Sequence, residues 1–298
     1  MKIVLKPAQP FDLDLTLCCG QVFRWEKIGE WWYGIVKDKP LKIRQVGNVL
    51  EFENASQNLV EEYFGLSDDL PSILSKISKD KHIQGAVKAL RGLRILRQEP
   101  WECLISYICA TYKNIPAIKR MLSNLSMKFG EKTVLNGYAF YSFPTAERLA
   151  KASPKELAEC GLGYRAKYVL ETARKVASGE FNIEGLKKKS YEKAREKLLT
   201  LPGVGLKVAD CVALFSLEKL EAFPVDVWIK RAILRHYANH FERDFIRKIS
   251  LKKSLTMADY ERLSLFGQEY FGVYAGYAQE YLFHFERIKH RNPHPSLN

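Results

Sequence analysis

The sequence predicts an α+β protein, a small N-terminal antiparallel β domain followed by a mainly α-helical body. Three observations predict it. Through residue 65, aromatic and β-branched residues alternate with polar ones, and Gly29 and Gly47 mark turns. From about residue 70 onward, apolar residues recur at helical spacing. Gly and Pro punctuate the helical windows, with no internal repeat and no low-complexity stretch.

In chain order, strands are expected over 21–25 (Gln-Val-Phe-Arg-Trp), 30–36, 40–46 and 48–53. A short helix over 58–64 leads out of the sheet. Helices are then expected over 71–80, 82–93, 100–112, 114–129, 145–151, 154–160, 165–178, 190–200, 206–217, 227–239 and 258–285. The stretch 181–190 reads as a basic loop. The division that follows is a β domain with its terminal helices over 1–95 and a helical body over 96–298.

Charge narrows the partners. Lys and Arg number 47 against 34 Asp and Glu, a net charge of +13, which favours a polyanion such as nucleic acid. No run of about 18 apolar residues is present, so no membrane span is expected. The start, Met-Lys-Ile-Val-Leu-Lys-Pro, is too short in apolar residues for a signal peptide. The expected setting is the cytoplasm or nucleoid. Cysteines stand at 18, 19, 103, 109, 160 and 211, with no C-x-x-C pair and no zinc or iron–sulfur spacing. His236 and His240 are four apart but lack the glutamate of an H-E-x-x-H motif. No metal site is expected.

The stretch from 201 to 226 carries the chemistry. It reads Leu-Pro-Gly-Val-Gly-Leu-Lys-Val-Ala-Asp-Cys, an apolar helix, then Phe-Pro-Val-Asp. Pro202 ends one helix, and Gly203 and Gly205 permit a tight turn before the next. Amides at that turn and helix start form an anion site suited to a DNA phosphate. Lys207 falls in the first helical turn, where a cation opposes the helix dipole. A lone lysine is ordinarily a solvated charge, but one placed against the dipole points to a role. Asp226 precedes another helix as an N-cap. A short loop returns it toward Lys207.

Together these segments resemble the helix-hairpin-helix signature of base-excision glycosylases, and more closely the 8-oxoguanine DNA glycosylase family. Three further segments carry the resemblance. Cys19-Gly-Gln-Val-Phe-Arg-Trp resembles the family's N-terminal motif, and implies that the Gly20 carbonyl accepts from N7–H of 8-oxoguanine, where guanine carries a lone pair. Ala275-Gly-Tyr-Ala-Gln-Glu-Tyr-Leu-Phe implies that Gln279 reads the Watson–Crick edge of the flipped base. The same motif sets Phe283 on one side of the base and Cys211 on the other. Gly161-Leu-Gly-Tyr-Arg implies that Arg165 reads the orphaned cytosine. Flipping itself is a physical requirement, because a glycosidic carbon within a duplex is out of reach.

The sequence departs from the family where it reads the opposite strand. In Ile108-Cys-Ala-Thr-Tyr-Lys-Asn-Ile-Pro-Ala, the family's asparagine and arginine positions hold Tyr112 and Ala117. Tyr112 becomes an aromatic wedge, and selectivity for cytosine opposite the lesion is expected to be relaxed. Trp228 stands where animal members carry a phosphate-contacting histidine.

The resemblance implies a bifunctional enzyme acting, as a monomer, on duplex DNA containing oxidised guanine. Lys207, as a free amine, attacks C1′ and expels the base. Asp226 stabilises the oxocarbenium charge and helps deprotonate the lysine. The resulting Schiff base leads to β-elimination, with no metal or organic cofactor. Two alternatives remain at this level. An alkylbase glycosylase of the superfamily would use water and lack the lysine. A non-catalytic helix-hairpin-helix module would bind DNA and release no base.

Overall fold

The computed structural model describes residues 1–291. A five-stranded antiparallel sheet, β1 (Lys2–Val4), β2 (Glu26–Ile28), β3 (Trp31–Val36), β4 (Lys39–Val46) and β5 (Val49–Glu53), runs in the order β1-β5-β4-β3-β2. A two-stranded hairpin, β6 (Lys132–Leu135) and β7 (Tyr138–Tyr141), lies apart in sequence. The helices of the first third are α1 (Leu13–Cys18), α2 (Gln57–Tyr63), α3 (Leu70–Ile77) and α4 (Lys81–Ala89). Next come α5 (Pro100–Ala110), α6 (Ile115–Phe129), α7 (Ala146–Ala150), α8 (Pro154–Leu157) and α9 (Arg165–Ala177). The body closes with α10 (Tyr191–Leu199), α11 (Leu206–Ser216), α12 (Val227–His236), α13 (Arg243–Leu251), α14 (Met257–Phe271) and α15 (Ala275–Arg291). The expected α+β class is the observed one.

Two apolar cores form. The sheet's inner face, with Leu41, Ile43, Leu50 and Phe52, packs with Trp25 on α1 and α2. The larger core gathers α3 to α15. The join between them is polar and fully bonded. Arg94, 0% exposed, donates to the Gly65 and Asp68 carbonyls at 2.6 and 3.0 Å. Gln21, also 0% exposed, donates to the Arg94 carbonyl at 2.8 Å and accepts from the Leu96 amide at 2.8 Å.

That join explains one correction. Residues 21–25 are not a strand; β2 begins at Glu26. The alternation in Gln-Val-Phe-Arg-Trp is real, but the buried Gln21 amide ties the segment to 94–96. Phe23 enters the helical core while Trp25 enters the sheet core. The helix expected over 227–239 stops at His236, and α13 is an addition. The helix expected over 258–285 is two helices, broken at Gly272 with φ +74. The basic loop contains a short 3-10 turn, Glu184–Lys188. Among the described residues, no helix is long and apolar enough to cross a membrane.

Candidate active site

The hairpin positions the site. Between α10 and α11 the chain turns through Gly203, whose φ is +77. A Cβ there would meet the Tyr168 ring at 2.6 Å, so glycine is required by both conformation and space. Gly205 is the N-cap of α11 and gives it no side-chain cap. It is exposed, and nothing lies within 4 Å of where its Cβ would be. The first amides of α11 therefore open to solvent at the positive end of a helix dipole, the arrangement that binds phosphate.

One hub fastens this hairpin. Asp210 on α11 is 0% exposed and accepts from Tyr191 at 2.8 Å, Arg195 at 2.7 Å and Tyr260 at 2.7 Å. It joins α10, α11 and α14 at the level of the Lys207 turn.

Beside the hairpin is a cavity of about 300 Å³. Its walls include Gly20, Lys207, Cys211, Asp226, Trp228, Gln279 and Phe283. The Lys207 ammonium stands 4.7 Å from the Tyr107 ring centroid. Tyr107 is itself stacked on Phe215 at 5.7 Å and 10°. Cys211, one helical turn after Lys207, is buried; burial pushes its thiol up to about 12, so it remains a neutral wall. Asp226 caps α12, and its Oδ1 accepts from the Trp228 and Ile229 amides at 2.9 Å each. Burial holds its carboxyl above the ordinary aspartate value, against the pull of those amides and of Lys207.

The far wall comes from α15 and from the turn after α1. Gln279 is 4% exposed, and its Oε1 is buried with no hydrogen-bond partner among the described residues. Such an acceptor is unusual unless a ligand completes it. Phe283 lies one turn on and shares its face. Gly20 has φ +107, and a Cβ there would meet Arg287 Nη1 at 2.5 Å, Ile115 Cδ1 at 3.2 Å and Phe283 Cε1 at 3.5 Å.

Gly203, Gly205, Tyr112 and Arg165 fall outside the cavity lining. Tyr112 is 83% exposed with φ +53, an unusual conformation for a bulky residue. Arg165 differs from the freely presented arginine that its glycine turn suggests. It is 3% exposed, its guanidinium donates to the Thr111 and Leu162 carbonyls, and it stacks 4.4 Å from the Tyr164 ring centroid. Sequence reasoning missed Tyr107, Glu280 and Arg287, which also line the cavity. A signal for Glu280 existed: a charge inside the apolar run Gly-Tyr-Ala-Gln-Glu-Tyr-Leu-Phe.

Two family models match the chain. Residues 3–104 match the family model of the 8-oxoguanine DNA glycosylase N-terminal domain, and residues 105–253 match that of the HhH-GPD superfamily of base excision DNA repair proteins. An N-glycosylase/DNA lyase of Saccharomyces cerevisiae is 36% identical, covering 90% of this chain and 81% of its own length. One from Arabidopsis thaliana is 32% identical over 91% of this chain and 76% of its own. The Clostridium acetobutylicum 8-oxoguanine glycosylase/lyase, solved with duplex DNA containing cytosine opposite 8-oxoguanine, superposes with TM-score 0.85 at 34% identity. That match covers 94% of this chain and 93% of the other.

Proposed function

Because the chain belongs to the 8-oxoguanine DNA glycosylase family, and so excises 8-oxoguanine from duplex DNA and nicks the abasic strand, we propose that Lys207 is its nucleophile and Asp226 its electrostatic partner. The backbone docks on the amides around Gly203 and Gly205, and the lesion rotates into the cavity. The Gly20 carbonyl accepts from N7–H. The Gln279 amide meets the Watson–Crick edge. Phe283 and Cys211 hold the two faces of the base. Trp228, at the cavity's edge, meets the backbone.

The Lys207 amine then attacks C1′, and the C1′–N9 electron pair leaves with the base. The carboxylate of Asp226 faces the positive charge that develops on the sugar. The secondary amine formed at C1′ opens the sugar to a Schiff base. Loss of a C2′ proton then expels the 3′ phosphate, which is the β-elimination. The observation that carries this reading is the buried, unclaimed acceptor of Gln279 in the same cavity as Lys207 and Asp226. A water-dependent alkylbase glycosylase has no use for the lysine, and a phosphate-gripping module has no use for the cavity.

Tyr112 fills the gap left in the duplex. Arg165 stands behind it and, to reach an orphan cytosine, must release the Thr111 carbonyl. The enzyme acts as a monomer, in the cytoplasm or nucleoid.

Asp226→Asn tests the electrostatic role. Binding to an 8-oxoguanine duplex should stay within about threefold while single-turnover base release falls by about 10²–10³. The pH profile adds a sign. Asp226 acts ionised, so wild-type release is lost as pH falls through its carboxyl pKa. Burial places that acid limb above the ordinary aspartate range. Normal turnover in the variant, with the limb intact, would remove Asp226 from the mechanism.

A further inference from the structure

The base cavity holds a carboxyl that the roles above leave unused. Glu280 follows Gln279 on α15, about 100° round the helix. It is 2% exposed, lines the cavity, and its Oε1 has no hydrogen-bond partner among the described residues. It meets the Cys19 thiol, next to Gly20. It also lies within the field of Lys207 and Asp226. It shares one cavity with Gly20 and with Lys207 and Asp226 at the reacting end.

The chemistry of the lesion says what lies there. In an 8-oxopurine the five-membered ring runs N9, C8, N7, and the C8 oxygen projects between the two nitrogens. With the sugar carbon of N9 at Lys207 and N7–H at the Gly20 carbonyl, the C8 oxygen faces a group set between those two. We propose that Glu280 is a specificity-determining residue, whose neutral carboxyl donates a hydrogen bond to the C8 oxygen of the flipped base. The proposal rests on the placement of Lys207 and Gly20 given above. Guanine carries C8–H at this position and offers no acceptor, so it leaves the buried donor unmatched. Beside the Gly20 acceptor, Glu280 supplies a donor. The pair matches the two adjacent features that separate 8-oxoguanine from guanine.

The protonation state is suitable. Burial pushes the Glu280 carboxyl up to about 7, against the opposing effects of the Cys19 hydrogen bond, Arg287 and Lys207. The groups facing it are Cys19 in the turn after α1, Lys207 on α11, Asp226 at the start of α12, and Arg287 two turns along α15. Cys19 is itself held as a neutral thiol, because burial raises it well above its ordinary range.

Two variants separate shape from donation. Glu280→Leu keeps bulk and removes the donor. Glu280→Gln keeps a donor that does not titrate. The readout is single-turnover 8-oxoguanine release divided by nicking of a preformed abasic duplex, which has no base to read. The ratio should fall about tenfold or more in Glu280→Leu and stay within about threefold of wild type in Glu280→Gln. The wild-type rate relative to Glu280→Gln should decline as pH rises through about 7, where the donor ionises. A wild-type ratio in Glu280→Leu, or a Glu280→Gln as slow as Glu280→Leu, would overturn the proposal. Lys207→Gln, assayed alongside, keeps the underlying placement separate. If it still forms a borohydride-trapped adduct at the wild-type level, the placement of Lys207 fails. If trapping is lost while Glu280→Leu keeps its ratio, only the role of Glu280 fails.

Discussion

Gly20 shows how little room the base pocket has. Its φ is +107, and a methyl group there fits only if the Arg287 guanidinium moves and Ile115 gives by a few tenths of an ångström. Gly20→Ala strains the backbone by about 1–3 kcal/mol and displaces the Arg287 guanidinium at the cavity wall. Base release should fall about 100-fold relative to abasic nicking, measured under single turnover. Gly29→Ala is the control: its φ is also positive, at +59, but nothing lies within 4 Å, so only stability should change, by about 1 kcal/mol. Equal losses of both activities in Gly20→Ala would place the defect in folding instead. At this scale the sequence was legible where chemistry breaks a local rule. Lys207 opposes a helix dipole, whereas Asp226 keeps the N-cap rule and reads as an ordinary cap on its own. It was silent where a side chain works through distant backbone. Nothing local marks Gln21 and Arg94 as the polar join of two cores, because the partners that make the join lie 26 to 85 positions away.

The α10–α11 hairpin depends on Asp210. Removing that carboxylate leaves Tyr191, Tyr260 and Arg195 without their shared buried acceptor. Asp210→Ala should cost about 3 kcal/mol, read from the urea midpoint, because breaking a buried network strands its other members. A loss below about 1 kcal/mol would show that the apolar contacts of α11 suffice. The helices were legible in the sequence because Pro and Gly punctuate them. The β6–β7 hairpin was not, although its signal was present. Asn136-Gly137, at φ +52 and +83, joins two short alternating runs and makes the turn that hairpins favour. Set among helices, four-residue strands carry too little pattern to stand out. They are stabilised instead by packing on the main sheet, where Tyr33 meets Tyr138 and Phe140 at 5.4 and 5.8 Å.

On the scale of the whole molecule, the cavity exists only because both ends of the chain reach it. Gly20 comes from the turn after α1, Lys207 from the hairpin, and Gln279 and Phe283 from α15. Family resemblance supplied that convergence from sequence; composition and periodicity alone stop at a basic α+β protein. We expect the surface around Tyr112 and Arg165 to read the opposite strand loosely. Tyr112 stands out and Arg165 is occupied with the Thr111 carbonyl. Single-turnover excision opposite each of the four bases should therefore vary by less than about tenfold, since a lost bidentate base contact is worth about 1–3 kcal/mol. A preference for cytosine of about 100-fold or more would show that Arg165 swings out to read it.

The nucleophile is open to direct capture. An 8-oxoguanine duplex incubated with borohydride should yield a covalent protein–DNA adduct on a denaturing gel. Peptide mapping should place the linkage on Lys207, and Lys207→Gln should bind the duplex and form no adduct. An adduct formed by Lys207→Gln at the wild-type level would contradict the assignment and send the search to another amine.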